Sequence, residues 1–144
     1  MPKIAIVGCG FVGSTTAFTL LLEGVASEIV LINRTKKEAE GHGLDLKHGM
    51  EFLQSTKIVS GDDYKLCKDC EIIIITAGAH QESGETRLDL ISKNESIFKE
   101  MIPKIIKYNK KAIFIVVSNP VDITTYLTLK YSKYPKERVI GTGT

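Results

Sequence analysis

The chain has 144 residues, 43% hydrophobic and 25% charged, which is enough apolar mass for one domain with its own core. Twelve glycines and four prolines are too few for a disordered or collagen-like chain, and a net charge of +2, with Arg34-Thr35-Lys36-Lys37 as its densest basic cluster, does not make a nucleic-acid surface. No run approaches the ~18 apolar residues of a membrane span, and three cysteines, an odd number, argue for a reducing, cytoplasmic setting over a disulfide framework.

Ile4–Val7 reads as the first strand, and its apolar run is far too short for a signal-peptide core. Gly8-Cys9-Gly10-Phe11-Val12-Gly13 follows, and Ser14–Glu23, with Ala17, Leu20 and Leu21, has helical spacing. Ile29–Ile32 is a second strand, and Lys37–Leu53, with Leu46, Met50 and Leu53, a second helix. Ile58-Val59 is a short strand candidate and Ile72–Ile75 a clear strand. Leu88–Tyr108 forms a long helix on Leu90, Ile91, Ile97, Ile102, Ile105 and Ile106. Ile113–Val117 and Val139-Ile140 complete the strands. These Ile- and Val-rich runs are continuous rather than alternating, the pattern of strands buried on both faces of a parallel sheet. Strand alternating with helix implies βαβ units. The predicted fold is a single-domain α/β doubly wound parallel sheet, of Rossmann type once the glycine loop is included.

Glycine-rich hexapeptides are common, but this one sits between a strand and a helix. The first glycine permits the tight turn, the second lets backbone approach a pyrophosphate, and the third lets helix pack on strand. The helix N-terminus then offers free N–H groups to the phosphates. Ser14 and Thr15 follow Gly13 with no lysine, which excludes a P-loop. About 20 residues on, where an acid would accept from the adenosine ribose hydroxyls, stands Asn33, followed by Arg34. NAD is therefore the expected cofactor with weakened discrimination against NADP, and Asn33→Asp is expected to restore the preference for NAD. Asn33-Arg34-Thr35 and Asn94-Glu95-Ser96 match the glycosylation acceptor pattern, which carries no weight in a cytoplasmic chain.

Thr76-Ala77-Gly78-Ala79-His80-Gln81-Glu82-Ser83-Gly84-Glu85-Thr86-Arg87-Leu88-Asp89-Leu90 resembles the L-lactate/malate dehydrogenase family, on its lactate dehydrogenase side. So do Gly8–Ser14, Gly43-Leu44-Asp45-Leu46-Lys47-His48-Gly49, Ser118-Asn119-Pro120-Val121-Asp122 and Val139-Ile140-Gly141-Thr142-Gly143-Thr144. The resemblance implies that residues 1–144 are the dinucleotide-binding domain, with the substrate domain absent from this chain. It implies hydride transfer between NAD(H) and a small 2-hydroxy/2-oxo acid, and a homo-oligomer at full length. The Gly78–Arg87 segment would close over substrate, with Arg87 polarising the ketone carbonyl as charge develops on oxygen. Asn119 would hydrogen-bond substrate and the cofactor region, and the Asn119-Pro120 bond is often cis in that family. Gln81 stands where the family's lactate enzymes carry glutamine and its malate enzymes arginine, and it offers no cation to a second carboxylate.

The cofactor contacts this implies are Gly8, Gly10, Phe11, Val12, Gly13, Asn33, Arg34, Tyr64, Ala77, Gly78, Ala79, Val117 and Asn119. The family's proton-donating histidine, its carboxylate partner and its carboxylate-gripping arginine lie beyond residue 144, and His42, His48 and His80 are not at the catalytic position. Three readings compete with a lactate enzyme. One is a malate dehydrogenase-type enzyme. Another is a stand-alone nucleotide-binding module without catalysis, and the third is a doubly wound enzyme with another nucleotide cofactor. Cys67-Lys68-Asp69-Cys70 has CxxC spacing, but with Cys9 as the only other cysteine a four-thiolate metal site is unavailable and the expectation is two packed cysteines.

Overall fold

In the computed structural model, residues 1–53, 55–80 and 82–143 are described. Six strands form one sheet: β1 (Lys3–Val7), β2 (Glu28–Ile32), β3 (Lys57–Gly61), β4 (Ile72–Ile75), β5 (Ile113–Val116) and β6 (Val139–Gly141). Their order is β3-β2-β1-β4-β5-β6 with every pairing parallel. Among the described residues four α-helices connect them, α1 (Phe11–Leu22), α2 (Lys36–His48), α3 (Arg87–Tyr108) and α4 (Val121–Ser132), with only the 3₁₀ turn Tyr64–Cys67 between β3 and β4. The order reverses between β1 and β4, and such a switch point opens a crevice at the carboxyl ends of the strands.

The sheet has a core on each face, and the strand residues alternate between them. Ile4, Ile6, Ile29, Leu31, Ile58 and Ile74 pack with Ala17 and Leu21 of α1 and Leu46 of α2. Ala5, Val7, Val30, Ile32, Ile73, Ile75, Phe114 and Val116 pack with Phe98, Met101, Ile102 and Ile105 of α3 and Leu127 of α4. Burial on both sides is the reason these strands show no polar alternation.

The strand expectations hold to within a residue or two at each end. The first helix begins at Phe11 rather than Ser14, because Gly10 is its N-cap and the loop's last glycine already lies inside it. The second ends at His48, not Leu53; Gly49–Phe52 continues as a 3₁₀ turn. Helix α4 has no counterpart among the helices expected from the sequence. Its buried stripe is Thr124, Leu127, Thr128 and Ser132, so hydroxyls occupy positions where apolar residues would have signalled a helix. Thr124 Oγ1 donates to the Ser118 carbonyl at 2.6 Å and Thr128 Oγ1 to the Thr124 carbonyl at 2.8 Å, which makes that burial tolerable.

Candidate functional site

The glycine loop packs backbone against backbone. Gly8 has φ +104°, and a Cβ there would stand 2.5 Å from the Ala77 nitrogen. A Cβ on Gly13 would stand 1.9 Å from the Gly8 carbonyl oxygen, so α1 lies directly on the end of β1. A Cβ on Gly10 would meet nothing within 4 Å among the described residues, and the side toward the cleft is open. The first helical bond of α1 runs from Ser14 N–H to the Gly10 carbonyl at 2.9 Å. The N–H groups of residues 11–13 precede it and lack intrahelical acceptors. An open glycine before a helix N-terminus fits a pyrophosphate.

Hydrogen bonds tie this loop to the ends of β2 and β4. Gly8 N–H donates to the Ile32 carbonyl at 2.8 Å, and Thr76 Oγ1 donates to the Gly8 carbonyl at 2.6 Å. Between them lies a cleft of about 870 Å³. Of the expected cofactor contacts, Gly8, Gly10, Asn33, Arg34, Tyr64, Ala77, Gly78 and Ala79 line it. Phe11, Val12, Gly13, Val117 and Asn119 lie outside its wall: Phe11 is 94% exposed at the start of α1, Gly13 is buried beneath the loop, and Val117 continues from β5. His80 also lines the cleft, whereas His42 and His48 lie on α2. Cys9, in the loop itself, is buried; burial, with Glu38 nearby, pushes its thiol up to about 11, so it stays protonated at neutral pH.

The 77–80 segment is anchored from below. Ser118 Oγ donates to the Ala77 carbonyl at 2.6 Å. Asn94 of α3, 0% exposed, accepts from Ala79 N–H at 2.9 Å and donates to the Asn119 carbonyl at 3.2 Å. One amide therefore joins the loop base to Asn119, whose bond to Pro120 is cis. Arg87 is the exposed first residue of α3, seven residues before Asn94, so the two share a face about 10 Å apart along the axis. Thr86 caps the helix. Its Oγ1 accepts from Asp89 N–H at 3.2 Å, and its N–H donates to Asp89 Oδ2 at 3.0 Å. The Thr86 hydroxyl and amide beside Asp89 hold that carboxyl below its usual range. Lys93 pairs with Glu85 across the same turn. Gln81 lies outside the described residues.

Three contributors were not found from the sequence. Thr86-x-x-Asp89 is a legible capping-box spacing. Asn94 carried only the glycosylation pattern, and its complete burial shows that the pattern is accidental. Glu38 has no signal beyond its place in the first turn of α2, yet it lines the cleft and accepts from Asn33 Nδ2 at 2.5 Å.

Cys67 and Cys70 are buried, and burial raises both thiols, Cys70 to about 11. Asn109 holds this turn, donating to both cysteine carbonyls at 2.8 Å. They are packed cysteines, as expected. Among the described residues no group of three or more His, Cys, Asp or Glu is placed to hold a metal, and no helix is long and apolar enough to cross a membrane.

Residues 2–141 match the family described as lactate/malate dehydrogenase, NAD binding domain. The chain is 56% identical over 142 residues to an L-lactate dehydrogenase of Clostridium botulinum, covering 99% of this chain and 44% of that protein. It is 55% identical over 144 residues to one from Acetivibrio thermocellus, covering 100% and 45%. Among solved structures, the minor L-lactate dehydrogenase of Enterococcus mundtii in a ligand-bound form superposes with a TM-score of 0.93 at 43% identity, over 99% of this chain and 46% of that one. Malate dehydrogenase from Archaeoglobus fulgidus in complex with NADH gives 0.92 at 42% identity, over 98% and 48%. The chain thus spans a little under half the length of these relatives.

Proposed function

Because this chain belongs to the lactate/malate dehydrogenase family, as its NAD binding domain, we propose that it is the dinucleotide-holding part of a cytoplasmic L-lactate dehydrogenase. NAD is its cofactor, and the reaction is hydride transfer between NAD(H) and lactate/pyruvate. The observation that carries this reading is the Asn94 bridge, which joins the floor of the cleft at Ala79 to Asn119 on the same edge of the sheet. A bound nicotinamide supplies or accepts the hydride.

The chain's own residues do the rest. The amides at the start of α1 receive the pyrophosphate charge. Arg87, first residue of the helix that Thr86 and Asp89 cap, donates to the substrate's ketone oxygen, where negative charge grows as hydride arrives. Asn119 hydrogen-bonds the same substrate. Closure of the Gly78–Arg87 segment excludes water. Gln81, neutral, favours a substrate with one carboxylate over one with two. The exposed stripe Phe11, Phe18, Leu22 and Val25 on and after α1 is a surface that a homo-oligomer would cover.

NADH fluorescence titration tests the cofactor site. Saturable binding is expected, and Gly10→Val, which fills the open side of the loop, should abolish it with little change in the unfolding midpoint. A chain that binds no NADH overturns the reading. In protein carrying this chain at its relatives' full length, reduction of pyruvate should exceed that of oxaloacetate, and the reverse preference would exclude the lactate assignment.

A further inference from the structure

Strand β2 leads into a neutral amide, Asn33, whose oxygen and nitrogen each already hold one protein partner. Asn33 Oδ1 accepts from Cys9 N–H at 3.3 Å, and Asn33 Nδ2 donates to Glu38 Oε2 at 2.5 Å. These partners fix the amide's orientation, since a backbone N–H requires the oxygen and a carboxylate requires the nitrogen. Asn33 keeps one N–H and one oxygen lone pair for a ligand, but it carries no charge with which to repel a phosphate. Ribose hydroxyls at this end of a doubly wound sheet need an acceptor.

Glu38 supplies one. It stands in the first turn of α2, lines the same cleft as Asn33, and has Oε2 held by the amide while Oε1 has no protein partner among the described residues. We propose that Glu38, steadied by Asn33, is the acidic residue that accepts from the adenosine ribose and selects NAD over a dinucleotide carrying a 2′-phosphate. The inference rests on the reading of the cleft as the NAD site. It assigns the selecting carboxylate to a helix position five residues past the strand end.

Arg34 and Thr35 line the same rim, and Arg34 attracts a phosphate. Glu38 opposes that attraction twice: it offsets the guanidinium charge and repels the phosphate directly. The hydrogen bond from Asn33 holds the carboxylate at the ribose position, whereas Arg34 is exposed. The arrangement also changes what Asn33→Asp does. That substitution keeps an acceptor for Cys9 N–H but sets two carboxylates in contact, so alone it should strengthen NAD preference little and weaken the fold.

The test is direct binding of NADH and NADPH by fluorescence to the wild-type chain, Glu38→Gln, and the double variant Asn33→Asp/Glu38→Gln. Glutamine is nearly isosteric and the position is exposed, so matched unfolding midpoints verify folding. Wild type should bind NADH at least ~100-fold more tightly than NADPH, and Glu38→Gln should shrink that ratio ~10-fold or more, with NADPH binding tightened. The double variant moves the carboxylate onto the strand end and should widen the ratio again. An unchanged ratio in Glu38→Gln, or a double variant that does not recover it, overturns the role of Glu38 while leaving NADH binding by wild type intact. Preference of the wild type for NADPH overturns it as well. Failure of the wild type to bind either dinucleotide removes the cleft assignment itself.

Discussion

Asn109 and Asn94 are both buried, both belong to the α3 region, and both spend their amides on backbone. Asn109 caps the carboxyl end of α3, where β4 and β5 begin; it donates to the Cys67 and Cys70 carbonyls and accepts from the Lys111 and Ala112 amides, all at 2.8–3.0 Å. Its contacts close a turn completely. Asn94, two turns into the same helix, lies where those strands end and makes two bonds, to Ala79 and Asn119, that hold two loops beside an open cleft. The chemistry is the same at both sites. Direction along the parallel strands separates them: the amino edge is tied shut, and the carboxyl edge is tied around a space.

That contrast breaks first where backbone meets backbone at the carboxyl edge. Gly13→Ala would drive its Cβ into the Gly8 carbonyl, and a loss of about 3 to 4 kcal/mol, or failure to fold, is expected in urea denaturation. A loss below about 1 kcal/mol would mean that α1 can move off the strand end.

The two asparagines sharpen the comparison directly. Asn109→Ala strands two carbonyls and two amides and should cost about 3 kcal/mol, with NADH affinity of the folded fraction unchanged. Asn94→Ala should cost less, about 2 kcal/mol, yet weaken NADH binding ~10-fold because it frees the loop base. Equal effects of the two on binding would show that the edges are not functionally distinct.

The smallest effect belongs to the half-buried ion pairs of the amino edge. Burial raises the Glu28 carboxyl, but hydrogen bonds and charge from Lys57 and Lys3, at 3.0 and 3.1 Å, outweigh it and leave it below the ordinary value of 4.5. A lowered carboxyl stabilises the fold above its unfolded-state value, and that stability is lost as pH falls through the folded value. Stability should therefore drop below about pH 4.5, and Glu28→Gln should flatten that drop by under about 1 kcal/mol. An identical acid profile in the variant would remove Glu28 from the account. NADH affinity at neutral pH should not respond to it.

The glycine loop and the Ile- and Val-rich runs were legible because their signals are local. Gly8, Gly10 and Gly13 are set by turn and contact geometry within a few residues, and strands buried on both faces leave continuous apolar runs. Helix α4 was not legible, since its buried stripe is built on threonines whose hydroxyls find carbonyl acceptors only in the folded helix. Asn94 and Glu38 were silent for a related reason. A polar residue inside a helix looks solvent-facing until its distant partner is known.

The sequence by itself determined the α/β alternation, the parallel sheet, the dinucleotide loop and the family, because short-range periodicity and motif spacing encode them. Tertiary structure alone decided which polar groups serve the site. Asn94 meets Ala79 and Asn119 across 15 and 25 residues, and Asn33 reaches back 24 residues to Cys9 while turning toward Glu38. Hydrogen bonds of that span are chosen by the packing of helices on the sheet. The acid missing at the end of β2 is thus supplied from the first turn of the helix that packs beside it.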